Sequence, residues 1–387
     1  MLNKHMTFTG LFCSLFSANL WAEAPTLTNP AVSVVLDGYY QNAERPLSEA
    51  TEGFGLGHTE LSLSANIDDL FYGKLTTVFE VNDGETELNV EEAFIQTLAM
   101  PAGFSMRGGR FLSDIGYLNN QHVHTDSFAD RPAVYRAFLG SHYYDDGVRL
   151  TYLAPTDLYW TMGSEIFQGD SLRAEDEHNE REYDNLGVYT IYTKVGGDIG
   201  IESSWQAGLS YLHNKNGQLT ADEHDHSHDH SSDEHSHDAA YTGQNMYIAD
   251  VVYKWAPNGN YKYQNLALSG EWIRLTDFAP AEGAYIYPYS SHYQQGWYVS
   301  GVYQFTPQWS VGLRHGQVDT MQLDGNAFED QKLTETDVSL FWHHSHFSTV
   351  RLQYTLQKGT NFDGIENDNV VTLQYVMTLG AHGAHQF

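Results

Sequence analysis

Residues 348–358 read STVRLQYTLQK. In an extended chain Val350, Leu352, Tyr354 and Leu356 share one face, and Arg351, Gln353, Thr355 and Gln357 share the other. Residues 71–82 repeat the pattern, with Phe71, Leu75, Phe79 and Val81 opposite Lys74, Thr76 and Glu80. Sixteen segments carry this period of two: 31–40, 57–66, 71–82, 88–99, 104–112, 147–154, 158–166, 186–196, 203–213, 244–256, 263–276, 294–305, 308–318, 334–344, 348–358 and 368–381. Each is about ten residues, the length of a tilted strand that crosses a hydrocarbon layer. The connections alternate. Short ones (67–70, 100–103, 155–157, 257–260, 306–307, 345–347) interleave with longer ones (41–56, 113–146, 167–185, 214–243, 277–293, 319–333, 359–367). The link at 83–87 is short where a long one is due. This register, with an even strand count, predicts an all-β fold: a transmembrane antiparallel β-barrel of about 16 strands. A sheet in lipid has to close, because no unpaired edge survives there.

Composition agrees. Of 387 residues, 34 are Gly and 26 are Tyr, and aromatics make up 14%. No stretch after residue 25 approaches the length of apolar run that a membrane helix needs. A barrel needs none, since only alternate residues meet lipid. The net charge of −31 argues against nucleic acid as a partner and favours attraction of cations.

Residues 1–22 read as a signal peptide, with Lys4 and His5 ahead of an apolar stretch at 8–20 and a cleavage site at Ala22. The barrel is then 23–387. The single cysteine, Cys13, falls in the signal, so the exported chain has neither a disulfide nor a thiolate metal site. The strand at 368–381 leads to a terminal aromatic, Phe387, the form of signal that barrel-assembly machinery reads.

Two loops carry chemistry. Residues 107–149 read RGGRFLSDIGYLNNQHVHTDSFADRPAVYRAFLGSHYYDDGVR and show neither a strand nor a helix period through their middle. So long a loop implies a task. The expectation is that 113–146, the third long connection, folds into the lumen. Arg107, Arg110, Asp114, His122, His124, Asp126, Asp130, Arg131 and Arg136 then form a charged pore constriction, with Asp126 and Asp130 across from Arg110. The second loop, 214–243, contains DEHDHSHDHSSDEHSHD at 222–238 and is expected outside the cell. His224, His226, His228, His230, His235 and His237, with Asp225 and Asp229, are candidate metal ligands, because imidazole suits zinc and related divalent ions. No arrangement of side chains points to an enzyme.

Between 88 and 149 the chain resembles the phosphate-selective porin family. The matching pieces are Glu92-Ala93-Phe94, Gly109-Arg110-Phe111, Arg131-Pro132 and Asp146-Gly147-Val148-Arg149. The tail Gly383-Ala384-His385-Gln386-Phe387 is similar to a zinc-regulated outer-membrane subgroup. The resemblance implies a sixteen-stranded homotrimer among the lipid and lipopolysaccharide of the bacterial outer membrane. The family's basic pore ladders are missing here, with 19 basic against 50 acidic residues. The expected function is therefore a channel for divalent transition metals, chiefly zinc, with the metal as transported or loop-bound ion and no tightly bound cofactor. An anion or phosphate porin and a non-conducting surface metal-binding barrel are the alternatives.

Overall fold

The computed structural model describes residues 27, 29–82, 85–174, 183–218, 243–278, 293–324, 327–360 and 367–380. They form one closed antiparallel barrel of sixteen strands. These are β1 (Ala31–Gln41), β2 in two pieces (Gly53–Leu56 and Thr59–Asn66), β3 (Phe71–Asn82), β4 (Glu85–Thr97), β5 (Phe104–Leu112), β6 (Tyr144–Leu153), β7 (Tyr159–Phe167), β8 (Val188–Ile199), β9 (Ser203–Asn214), β10 (Asn245–Trp255), β11 (Asn265–Thr276), β12 (Tyr293–Thr306), β13 (Trp309–Asp324), β14 (Ala327–Ser345), β15 (Ser348–Thr360) and β16 (Asn367–Gly380). Both pieces of β2 pair with β1, so the break at Gly57 and His58 interrupts one strand. Closure comes from β1 against β16, with Ser33 opposite Gly380 and Gln41 opposite Thr372.

The burial of β15 is that of a membrane wall. Leu352, Tyr354 and Leu356 are 42–48% exposed, while Arg351, Gln353, Thr355 and Gln357 are at most 5% exposed. A soluble sheet would show the reverse. Lipid takes the apolar face and the lumen takes the polar one. Phe71, Phe104, Tyr159, Trp160, Phe305, Trp309 and Trp342 are exposed near the short turns, forming an aromatic girdle at that interface.

Several boundaries differ from those read in the sequence. The segments at 308–318 and 334–344 extend into a long hairpin, β13 and β14, so most of 319–333 is strand, not loop. The strand expected from 147 begins at Tyr144, and the inserted loop is 113–143. That loop also holds a helix, α1 (Ala133–Leu139), too short for its period to show. Pro132 precedes α1, and Gly140 ends it in the left-handed conformation (φ 54°), which glycine adopts without strain.

Strand β4 carries a bulge. Thr76 pairs with Glu92 and Thr77 with Val90, leaving Glu91 as the extra residue. Two consecutive carboxylates therefore both turn inward, Glu91 at 1% and Glu92 at 3% exposure.

Candidate functional site: the inserted loop and its wall

The segment 113–143 runs inside the barrel, and two kinds of packing hold it there. Towards the long-connection end the inner wall is apolar. All seven residues of α1 are buried. Val134, Phe138 and Leu139 belong to one apolar cluster with Phe167, Leu212, Ile273, Val318 and Leu333 from the wall. Elsewhere polar tethers reach the wall on several sides. Ser113 Oγ donates to Glu165 on β7, and the Asp114 N–H donates to the same carboxylate at 3.0 Å. Lys194 on β8 bonds Asp114 at 2.5 Å. Glu271 on β11 accepts from the N–H groups of Tyr117 (2.8 Å) and Leu118 (3.1 Å), and from the hydroxyls of Tyr135 and Tyr298 (both 2.7 Å). Gly116 (φ 62°) makes this approach possible, since a Cβ there would collide with the Glu271 carboxylate and the Tyr135 hydroxyl.

On the opposite wall, Asp130 pairs with Arg45 and with Arg314 on β13 (3.2 Å). Arg136 bonds Glu335 on β14 at 2.6 Å. Arg351 on β15 donates to the carbonyls of Asp126 and His124. Asp126 pairs with Arg131 at 2.6 Å. Burial pushes the Asp126 carboxyl up from its ordinary pKa, although Arg131 and Arg351 oppose this. Burial acts the same way on Asp114, but Lys194 and Arg149 outweigh it and bring the carboxyl down.

A third tether is a cluster of histidines and glutamates. Its wall members are His58 at the break in β2, Glu60 on β2, Lys74 on β3, and Glu91 and Glu92 on β4. The loop contributes His122, His124 and His142. His122 lies 2.9 Å from Glu91, 3.0 Å from Glu92 and 3.4 Å from Glu60. His124 Nδ1 is 2.7 Å from Glu60. Lys74 pairs with Glu92 at 2.5 Å. Burial alone would lower the His122 pKa, but the three glutamates hold it well above its ordinary value.

Beside the loop, on the short-turn side, lies a cavity of about 640 Å³. Glu60, Glu92, Asp126, Lys74, Arg107, Lys254 and Arg314 line it, with His122 and His124. His124, Thr125, Asp126 and Ser127 also line a second cavity, which reaches His343, His344 and His346 near the last short turn.

Of the residues expected at the constriction, Asp114, His122, His124, Asp126, Asp130, Arg131 and Arg136 come from the inserted loop. Arg107 points inward from β5, bonding Gln96 and lying 4.0 Å over the Phe94 ring. Arg110 does not face the lumen. It pairs with Asp146 at 2.9 Å across the outer face, in register with exposed Ala93. Residues three apart in a strand face opposite ways, so Arg107 and Arg110 cannot share the pore. Asp126 and Asp130 consequently lie opposite Arg314 and Arg351, not Arg110. His58, Glu60, Glu91 and His142 were missed. The signal for Glu91 was a change of phase: Leu88 and Val90 are exposed on even positions, Ala93 and Ile95 on odd ones. The candidate ligands at 222–238, the signal at 1–22 and the terminal Phe387 lie outside the described residues.

No family model matches the chain. An uncharacterized protein of Aquifex aeolicus is 28% identical over 353 residues, covering 87% of this chain and 70% of that one. Among solved structures, the outer membrane channel DcaP of Acinetobacter baumannii matches with a TM-score of 0.55 at 15% identity, over 91% of this chain and 96% of that one. An anion-selective porin from Comamonas acidovorans matches at 0.55 and 10% identity, over 90% and 99%. The trimer form of OmpT, an outer membrane protein of Vibrio cholerae, matches at 0.54 and 10% identity, over 92% and 100%. These likenesses are of fold, and the fold is the closed barrel of bacterial outer-membrane proteins.

Proposed function

We propose that this protein is a diffusion channel of the outer membrane whose bore is set by the inserted loop, and that it favours cations, among them divalent transition metals and chiefly zinc. One observation carries the reading. A segment of some thirty residues is pinned across the lumen by ion pairs and hydrogen bonds to β7, β8, β11, β13, β14 and β15, with a polar cavity beside it. That is how a pore narrows its passage without blocking assembly of the wall. The preference for cations rests on the net charge of −31, which raises the cation concentration near the mouth. The His/Asp-rich stretch at 222–238 adds weak, multiple metal contacts at that mouth, where an ion has to bind and leave quickly. The protein works as a homotrimer, the state named for the Vibrio cholerae barrel.

An anion-selective channel is the second reading. Lys74, Arg107, Lys254 and Arg314 line the cavity against Glu60, Glu92 and Asp126, so the passage itself is not acidic. Planar-bilayer reversal potentials in a salt gradient separate the two. A cation-selective potential, increased by zinc in place of potassium, supports the first; an anion-selective one supports the second. Absence of conductance refutes both and leaves a metal-binding barrel.

A further inference from the structure

The histidine–glutamate cluster contains close contacts that lack hydrogen-bond geometry. Three of its members stand where the chain departs from regular strand. His58 occupies the break in β2, Glu91 is the bulge residue of β4, and His142 ends the inserted loop just before β6. The break and the bulge each give up pairing in the sheet ladder, and with the loop end they bring polar atoms to one place. His58 Nε2 is 3.3 Å and His142 Nε2 is 2.8 Å from the same oxygen of Glu91. The Glu91 side chain is 1% exposed. Yet these approaches lie off the ring N–H axes. Among the described residues, neither Glu91 oxygen, nor His58 Nε2, nor either nitrogen of His142 has a hydrogen-bond partner. Buried polar groups left in this state are rare and costly, and an ion is a standard reason for them. Ligand atoms about a tetrahedral metal stand roughly 3.3 Å apart when the bonds are ~2.0–2.1 Å. The His58–Glu91 separation equals that value, the His142–Glu91 one is shorter, and all three ligand atoms lie within 4.8 Å of one another.

We propose that His58, Glu91 and His142 bind one divalent transition-metal ion, zinc or a metal of similar coordination, as a resident part of the wall. Imidazole and carboxylate without thiolate form the donor set, leaving a fourth position for water. The neighbouring triad of Glu60, His122 and His124 is less available, because His124 and Glu60 already bond each other. The ion joins β2, β4 and the end of the inserted loop, so it staples the loop to the wall. This role is separate from whatever the channel passes.

The test counts retained metal in the full-length protein folded in detergent. The protein is stripped with chelator, loaded with Zn²⁺, dialysed and measured by mass spectrometry. Heat-modifiable migration confirms folding of each variant. Wild type should retain about one ion per chain, the occupancy of a single tetrahedral site. Deleting 222–238, which removes the other histidine-rich segment, should leave that ion in place. His142→Ala and the near-isosteric Glu91→Gln should weaken retention by at least about a hundred-fold, the upper end of the effect of supporting residues. Co²⁺ loading should give the absorption of a four- or five-coordinate ion in wild type and lose it in both variants. No retained metal in wild type, or equal retention in folded Glu91→Gln, overturns the proposal. Conductance is read separately: a channel that conducts but holds no ion sinks the resident site alone, and a barrel that holds the ion but does not conduct sinks the channel reading alone.

Discussion

Glu271 is where the inserted loop can be loosened with least disturbance to the wall. Its carboxylate is 3% exposed and accepts four hydrogen bonds: Tyr117 N–H, Leu118 N–H, Tyr135 O–H and Tyr298 O–H. Three of the four donors belong to the loop. Glu271→Gln keeps the shape but turns one acceptor oxygen into an amide NH₂ donor. Tyr117 N–H and Tyr135 O–H both donate to Oε2, so an amide nitrogen at that position leaves the Tyr117 N–H facing a donor, whereas the Tyr135 hydroxyl can turn to accept. Hydrogen bonds to a charged group contribute about 1.5–3 kcal/mol each. Losing the Tyr117 bond therefore weakens docking of this part of the loop by about 1.5–3 kcal/mol. If the loop opens locally, amide exchange should accelerate by roughly one to two orders of magnitude on a scale of ~1.4 kcal/mol per tenfold. The assay is hydrogen–deuterium exchange of the peptide that spans 113–121 in detergent-folded protein. Peptides from the outer strands, such as β15, should not change. Single-channel records of the variant should show noisier and larger openings. Unchanged protection at Tyr117 and Leu118 would refute the view that Glu271 holds the loop, whatever the conductance did.

Three further outcomes follow from the same geometry. Arg110→Ala should leave selectivity and conductance unchanged, because Arg110 pairs with Asp146 on the outer face, whereas Arg107→Ala should shift reversal potential towards cations. The Asp114 carboxyl is held below its ordinary 3.8 by Lys194 and Arg149 against the effect of burial. Its contribution to docking is therefore present above that pH and lost as pH falls through the lowered folded value. Exchange protection at 113–121 should persist at about pH 5 and fail only below the ordinary carboxylate range. Early failure, on the way from neutral to pH 5, would contradict it. Deleting 222–238 should yield a heat-modifiable barrel, because none of the described strands that close the wall includes the segment. Conductance should drop chiefly at low salt, since a field at the mouth is screened over ~10 Å at 0.1 M. An equal drop at high salt would place the segment's effect in the pore itself.

The sequence by itself determined the barrel. Each strand's outer face meets lipid along its length, so the period of two is written residue by residue, as in Leu352, Tyr354 and Leu356 against Gln353, Thr355 and Gln357. The same rule, carried through β5 and β4, separates Arg107 from Arg110 and marks the bulge at Glu91 by the change of phase between Val90 and Ala93, but the sequence reading placed both arginines in the pore and passed over Glu91. The long loop could be seen as an interruption of that period, but not its course. Its helix is a short stretch that becomes helical against an inner wall made of Phe167, Leu212, Ile273, Val318 and Leu333, residues supplied by five different strands. No local pattern encodes that surface. The meeting of His58, Glu91 and His142 is of the same kind. It depends on the register of β2 against β3 and of β3 against β4, and on where the inserted loop returns to the wall, so only the closed tertiary structure decides it. Local sequence sets which face a side chain takes; closure of the barrel sets what that side chain meets.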